Sequence, residues 1–132
     1  MPTSLLQVDD YEEMASAFQC SLIQVLDAAL KKHDLPLQAR RAICGDFVGM
    51  SGVVLDQYWI ESEAGRVFPV LGFAKKHPDY VPEALYLNNG AFSFAEYAGG
   101  NIQWYFDEHG GEPEPQAMGP VGEQGEPGSE LR

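Results

Sequence analysis

Basic side chains are scarce in this chain. Its 132 residues hold eight Lys and Arg against twenty Asp and Glu, a formal net charge of −12. A surface of that sign repels phosphate backbones, so nucleic acid is not an expected partner. Cysteine is scarcer still. Cys20 and Cys44 are the only two, they lack metal-ligand spacing, and a reducing, cytoplasmic compartment is the simplest expectation. His33, His77 and His109 lie far apart in sequence without ligand spacing, so no metal is expected.

Long apolar runs are also missing. Residues 42–55, "AICGDFVGMSGVVL", are too few to span a bilayer and include Asp46, so no membrane association is expected. No basic stretch followed by an apolar run reads as a secretory leader. The chain has no G-x-S-x-G, no phosphate-cradling glycine loop and no dinucleotide fingerprint, so no cofactor is expected and enzymatic activity is not favoured.

What is present suffices for a core. Apolar residues make up 45% and aromatics 11%, enough for one domain without disulfide staples. The acidity sits at the two ends. Residues 1–30 carry five acids and no base, residues 107–132 carry seven acids and one base, and the middle holds eight acids and seven bases. Solubility explains this distribution; a basic protein partner is compatible with it.

Residues 10–33 are expected to form a helix. Asp10 and Glu13 resemble a capping box, acids fill the first turn, and Lys31, Lys32 and His33 fill the last. Phe18, Leu22, Val25, Leu26, Ala29 and Leu30 supply its apolar face. A second helix is expected from about residue 36 to about residue 55, with Pro36 in its first turn. At about 100° per residue, Ile43, Phe47, Met50 and Val54 form one strip. Cys44, Val48 and Leu55 form another, and Gly45, Gly49 and Gly52 a third. Such a helix, apolar all round, is expected at the centre of the domain, with the glycine strip closely approached by another backbone. A break near Gly49 is the competing reading.

Two strands are expected at residues 57–62 and 66–75, joined at Gly65, the second an edge strand or bulged at Pro69. Asn89-Gly90 between apolar runs signals a further hairpin, and residues 101–107 then make a last strand. A rival helix from 94 to 106, capped by Ser93 and Glu96, has Gly99-Gly100 against it, at about 2 kcal/mol. The expected fold is therefore α+β: two N-terminal helices on an antiparallel sheet of about four to five strands, in one domain over residues 1–107. A flexible acidic Gly/Pro-rich tail over residues 108–132 follows. Glycine at every third place from 119 to 128 matches the collagen period, over too few triplets to make a triple helix.

Asp46 is the unusual residue. Buried, it needs a distant partner such as Arg66, Lys75, Lys76, a tyrosine hydroxyl or free N–H groups, because an unpaired buried carboxylate is too costly. The expectation is a satisfied core aspartate that fixes how helix and sheet dock; exposure in a gap and a functional carboxylate are the alternatives. Asp46 and Asp56, ten residues apart on one helix, are separated by about 15 Å. That is too far for a glycosidase-type pair, at about 5–9.5 Å. The basic pairs Lys31-Lys32 and Arg40-Arg41 flank one turn and either hold an anion or simply solvate helix ends. Tyr58 and Trp59 cannot both face inward on a strand, nor can Trp104 and Tyr105; outward aromatics favour interfaces.

The candidate binding residues are therefore Asp46, Asp56, Tyr58, Trp59 and Trp104, with no catalytic residue assigned. The leading functional expectation is a small acidic cytosolic binding protein that blocks or shields a protein partner, immunity-like or antitoxin-like. The alternatives are a small-molecule-binding or enzymatic domain with a pocket near Asp46, Asp56, Tyr58 and Trp59, and a homo-oligomeric (for instance dimeric) structural protein.

Overall fold

The computed structural model describes residues 2–56, 58–77 and 81–111. Both N-terminal helices form nearly where the sequence places them: α1 is Tyr11–Lys31 and α2 is Leu37–Leu55. Acids in the first turn and Lys31 in the last suit the α1 dipole. The Asp10 side chain does not cap α1, however. It pairs instead with Lys75 at 3.0 Å, and only its carbonyl accepts from Met14. The chain reverses between the helices through Asp34 at φ 61°.

The sheet expectation needs correction. Four short strands are present among the described residues: β1 (Ser4–Val8), β2 (Ile60–Ser62), β3 (Gly65–Val67) and β4 (Ala84–Asn88). They make two separate two-stranded sheets, β1 parallel to β4 and β2 antiparallel to β3, not one antiparallel sheet of four to five strands. β1 lies in a stretch to which the sequence pattern assigns no element. β3 stops before Pro69, which cannot donate to a ladder, and its expected continuation contributes only the single bridge Phe73–Tyr86.

The last expected strand is helical. α3 spans Phe94–Ile102 and continues as a π-helical segment, Gln103–Glu108. The Asn89-Gly90 turn does form, with Gly90 at φ 100°. It leads into this helix rather than a returning strand because the Asn88 side-chain oxygen accepts from the N–H groups of Gly90 and Phe92. Ser93 then caps Glu96. Burial offsets the cost of Gly99-Gly100: Phe94, Ala98, Ile102, Tyr105 and Phe106 are all buried, at a spacing that places them on one side of a helix.

Two apolar clusters result. Tyr11, Ala15, Phe92 and Phe94 form one near the small parallel sheet. Cys20, Ile23, Cys44, Val48, Ala98, Ile102, Tyr105 and Phe106 form the other between the three helices. Two further corrections concern the helices. The buried stripe of α1 is Tyr11, Ala15, Gln19, Cys20, Ile23 and Asp27, while Val25 is 64% exposed. In α2 only Cys44, Val48 and Gly52 are buried, so the helix lies against the body along one side and is not enclosed. Of its glycines, only Gly52 meets a neighbouring backbone; Gly45 and Gly49 face open space. The expected tail falls outside the described residues from 112 onward. Before that point, the Gly111 N–H donates to the Tyr105 carbonyl at 2.8 Å.

Candidate functional site

With Cys44, Val48 and Gly52 turned inward, the spacing of about 100° per residue turns 43, 46, 47, 50, 53 and 54 away from the body. Ile43, Phe47, Val53 and Val54 are each exposed by 40% or more, and Met50 by 74%. Singly exposed apolar side chains are ordinary, but several along one helix face make a patch. Asp46 lies within this face, exposed. The expectation of a satisfied core aspartate is thus overturned: water solvates the carboxylate, so no compensating partner is required. Among the described residues none hydrogen-bonds or ion-pairs with it.

Tyr58 and Trp59 follow α2 and precede β2. Neither faces a core. Their rings stack at 5.7 Å with a 21° interplanar angle, and the Arg66 guanidinium lies 4.2 Å over the Trp59 ring. Every residue of β2 and β3 is exposed. The hairpin thus presents a stacked Tyr–Trp–Arg unit of the residue types that anchor protein interfaces.

Asp56 has another role. As the residue ending α2 it would meet an unfavourable dipole, but its carboxylate reaches the start of α3. One oxygen accepts from the Phe94 N–H at 2.7 Å; the other accepts from the Ala95 N–H at 3.0 Å and the Ser93 hydroxyl at 2.8 Å. It is the anion at that helix N-terminus. Replacing Asp56 with Ala is expected to cost about 1–2 kcal/mol, the usual loss for a cap. The check is a lower urea midpoint at unchanged m-value.

Asp56 also borders a cavity of about 420 Å³ with Gln7, Tyr11, Asn88 and Phe92 on its wall. Burial, and secondarily the Asp56 charge, push the Tyr11 phenol above its ordinary range, and its hydroxyl donates to the Leu71 carbonyl at 2.8 Å. Asp46, Tyr58 and Trp59 do not line this cavity, so the structure does not gather the expected pocket residues. Trp104 belongs elsewhere again. It packs half-buried against the inter-helix cluster with the His109 ring at 4.4 Å.

A buried polar network, not expected from the sequence, joins α1, α2 and the π-helical segment. Asp27 is fully buried. Its carboxylate accepts from Arg40 Nε at 2.6 Å and from the Tyr105 hydroxyl at 3.0 Å, with Lys31 Nζ at 3.7 Å. Burial, then the bond to Asp27, hold the Tyr105 phenol protonated above its ordinary range. The signal was legible in retrospect: Asp27 continues the i+4 series Tyr11, Ala15, Gln19, Ile23. Arg41 meanwhile forms a two-point contact with Asp107, both bonds 2.8 Å, which raises the guanidinium pKa and lowers that of the carboxyl. Lys31, Arg40 and Arg41 are thus engaged within the chain, and the expected anion-holding role of these basic pairs loses most of its cations. Cys20 and Cys44 are free and buried. Burial pushes both thiols up to about 11, against nucleophilic use at neutral pH.

Among the described residues, no group of three or more His, Cys, Asp or Glu side chains is placed to hold a metal ion, and no helix is long and apolar enough to cross a membrane. Comparison with protein-family models, with curated proteins and with solved structures gives no match for this chain.

Proposed function

We propose that this chain is a protein-binding domain that shields a partner, docking it on the outer face of α2 with the Tyr58–Trp59–Arg66 unit as a second contact. The observation that carries this reading is the exposed apolar face with one unpaired carboxylate in it. The partner offers apolar surface with a Lys or Arg opposite Asp46. Desolvating that pair gives specificity and register, and the net charge of −12 accelerates encounter with a basic protein. An immunity-like or antitoxin-like shielding role fits this chemistry. The cavity beside Asp56 supports a small-molecule reading less well, because both oxygens of its carboxylate already serve α3.

The test uses a photoactivatable side chain at position 50 of the full chain in its own cell. It should give an adduct with one basic protein. Asp46→Lys and Phe47→Asp should each weaken that association by about tenfold or more while circular dichroism stays unchanged. The reading is lost if the adduct survives both substitutions, or if the same adduct arises from position 25, exposed on α1.

A further inference from the structure

We propose that the outer edge of β1 joins two copies of this chain by antiparallel strand addition, centred on Leu6. Among the described residues, β1 is hydrogen-bonded along one edge only. Ser4 donates to the carbonyl of Glu83, the residue before β4, at 2.9 Å, in register with Ser4 opposite Ala84. Strand backbones alternate the direction of their amide groups, so Leu6 and Val8 also turn theirs toward β4. Leu5 and Gln7 turn their N–H and C=O groups outward. Among the described residues no strand pairs with that edge.

The strand carries none of the features that keep an edge from pairing. It has no charge, proline or glycine. Leu5 is 65% exposed and Leu6 41%; being consecutive, they face opposite sides of the sheet, so both sides are partly open there.

Residue chemistry selects the occupant. Residues 2–8 are uncharged, so the paired segment itself offers a basic partner no opposite charge, unlike Asp46. A second copy fits its outward groups in one register. Leu5 exchanges both hydrogen bonds with Gln7 of the partner copy, and Leu6 stands across the two-fold axis from its own copy, in the closer, non-hydrogen-bonded kind of pair. That register sets Asp9 opposite Thr3 and Asp10 opposite Pro2, so no acid meets an acid. The product is a four-stranded sheet, β4–β1–β1–β4. Because each copy carries −12, dimerisation strengthens as salt screens the repulsion. Docking of a basic partner on α2 weakens with salt, so the two readings fail independently.

Sedimentation of the intact chain over a concentration series, at low and at moderate salt, tests this. A dimer that tightens with salt is expected. Leu5→Pro removes only the outward N–H of residue 5 and spares the β1–β4 ladder. By symmetry it deletes two bonds, raising the dimer Kd about tenfold or more, with the thermal midpoint of the monomer retained. Leu6→Lys places two like charges on the axis and should dissociate the dimer as well, which covers a failure of Leu5→Pro to fold. Leu6→Cys should form an intermolecular disulfide on oxidation. A monomer at the highest soluble concentration overturns the proposal. So does a dimer that survives both β1 substitutions, or one lost on Asp46→Lys, which would place the interface on α2.

Discussion

Replacing Asp27 with Ala should remove about 3–5 kcal/mol of stability, the range for breaking one side of a buried ion pair. Total stabilities of such domains are about 5–15 kcal/mol, so the variant would sit close to the unfolding threshold. The cause is what remains behind. The Arg40 side chain is 12% exposed and keeps a bond to the Leu35 carbonyl at 3.1 Å, but its charge would face the apolar cluster uncompensated. The Tyr105 hydroxyl would lose its acceptor in the same step. Asp27→Asn preserves shape and one acceptor oxygen and should cost less. The double change Asp27→Leu with Arg40→Met should recover much of the loss, since it removes the stranded charge along with its partner. Urea denaturation of the three variants decides the matter. A loss below about 1 kcal/mol for Asp27→Ala would mean that water reaches the pair, as at surface ion pairs.

The second large effect concerns the glycines of α2, where the sign changes along one helix. A Cβ at position 52 would stand 2.8 Å from the Ala95 nitrogen and 2.9 Å from the Ala95 Cα and the Phe94 carbonyl carbon. These are backbone atoms of the α3 start, which the Asp56 carboxylate holds only four residues further on. They cannot turn aside as a flexible side chain would. Gly52→Ala should therefore cost about 1–3 kcal/mol by overpacking, and Gly52→Val more. At Gly45 and Gly49 nothing lies within 4 Å of an added Cβ. Alanine there should stabilise the helix by about 0.5–1 kcal/mol through backbone entropy alone. Equal responses at 45, 49 and 52 in urea midpoints would contradict the packing of α3 across α2.

Much of the local structure was legible in the residues. Charge placement and the break at Pro36 place both N-terminal helices to within two residues at each end. Gly65 marks the hairpin, and strand alternation requires at least one of Tyr58 and Trp59 to face outward; in the structure neither faces a core. The α3 helix was written too, in Ser93 and Glu96 and in the spacing of Phe94, Ala98, Ile102 and Tyr105. Gly99-Gly100 obscured it, because propensity counts the cost of glycine and not the burial that offsets it. β1 left no trace, since a five-residue strand has no pattern apart from the strand that pairs with it.

Which side of each helix is buried could not be read. On α1 the inward stripe includes Gln19 and Asp27, whose polarity marks them as surface residues until Phe94, Asn101, Arg40 and Tyr105 arrive to satisfy them. On α2, apolar residues all round imply enclosure on every side, yet the strip of Ile43, Phe47, Met50 and Val54 faces out. Neighbours along the chain were enough to specify the two N-terminal helices, the turn at Gly65 and the acidic balance. That Asp27 is enclosed while Asp46 and the apolar side chains around it face solvent follows from packing between distant segments. Burial is set by what packs across from a residue, and those partners lie tens of positions away.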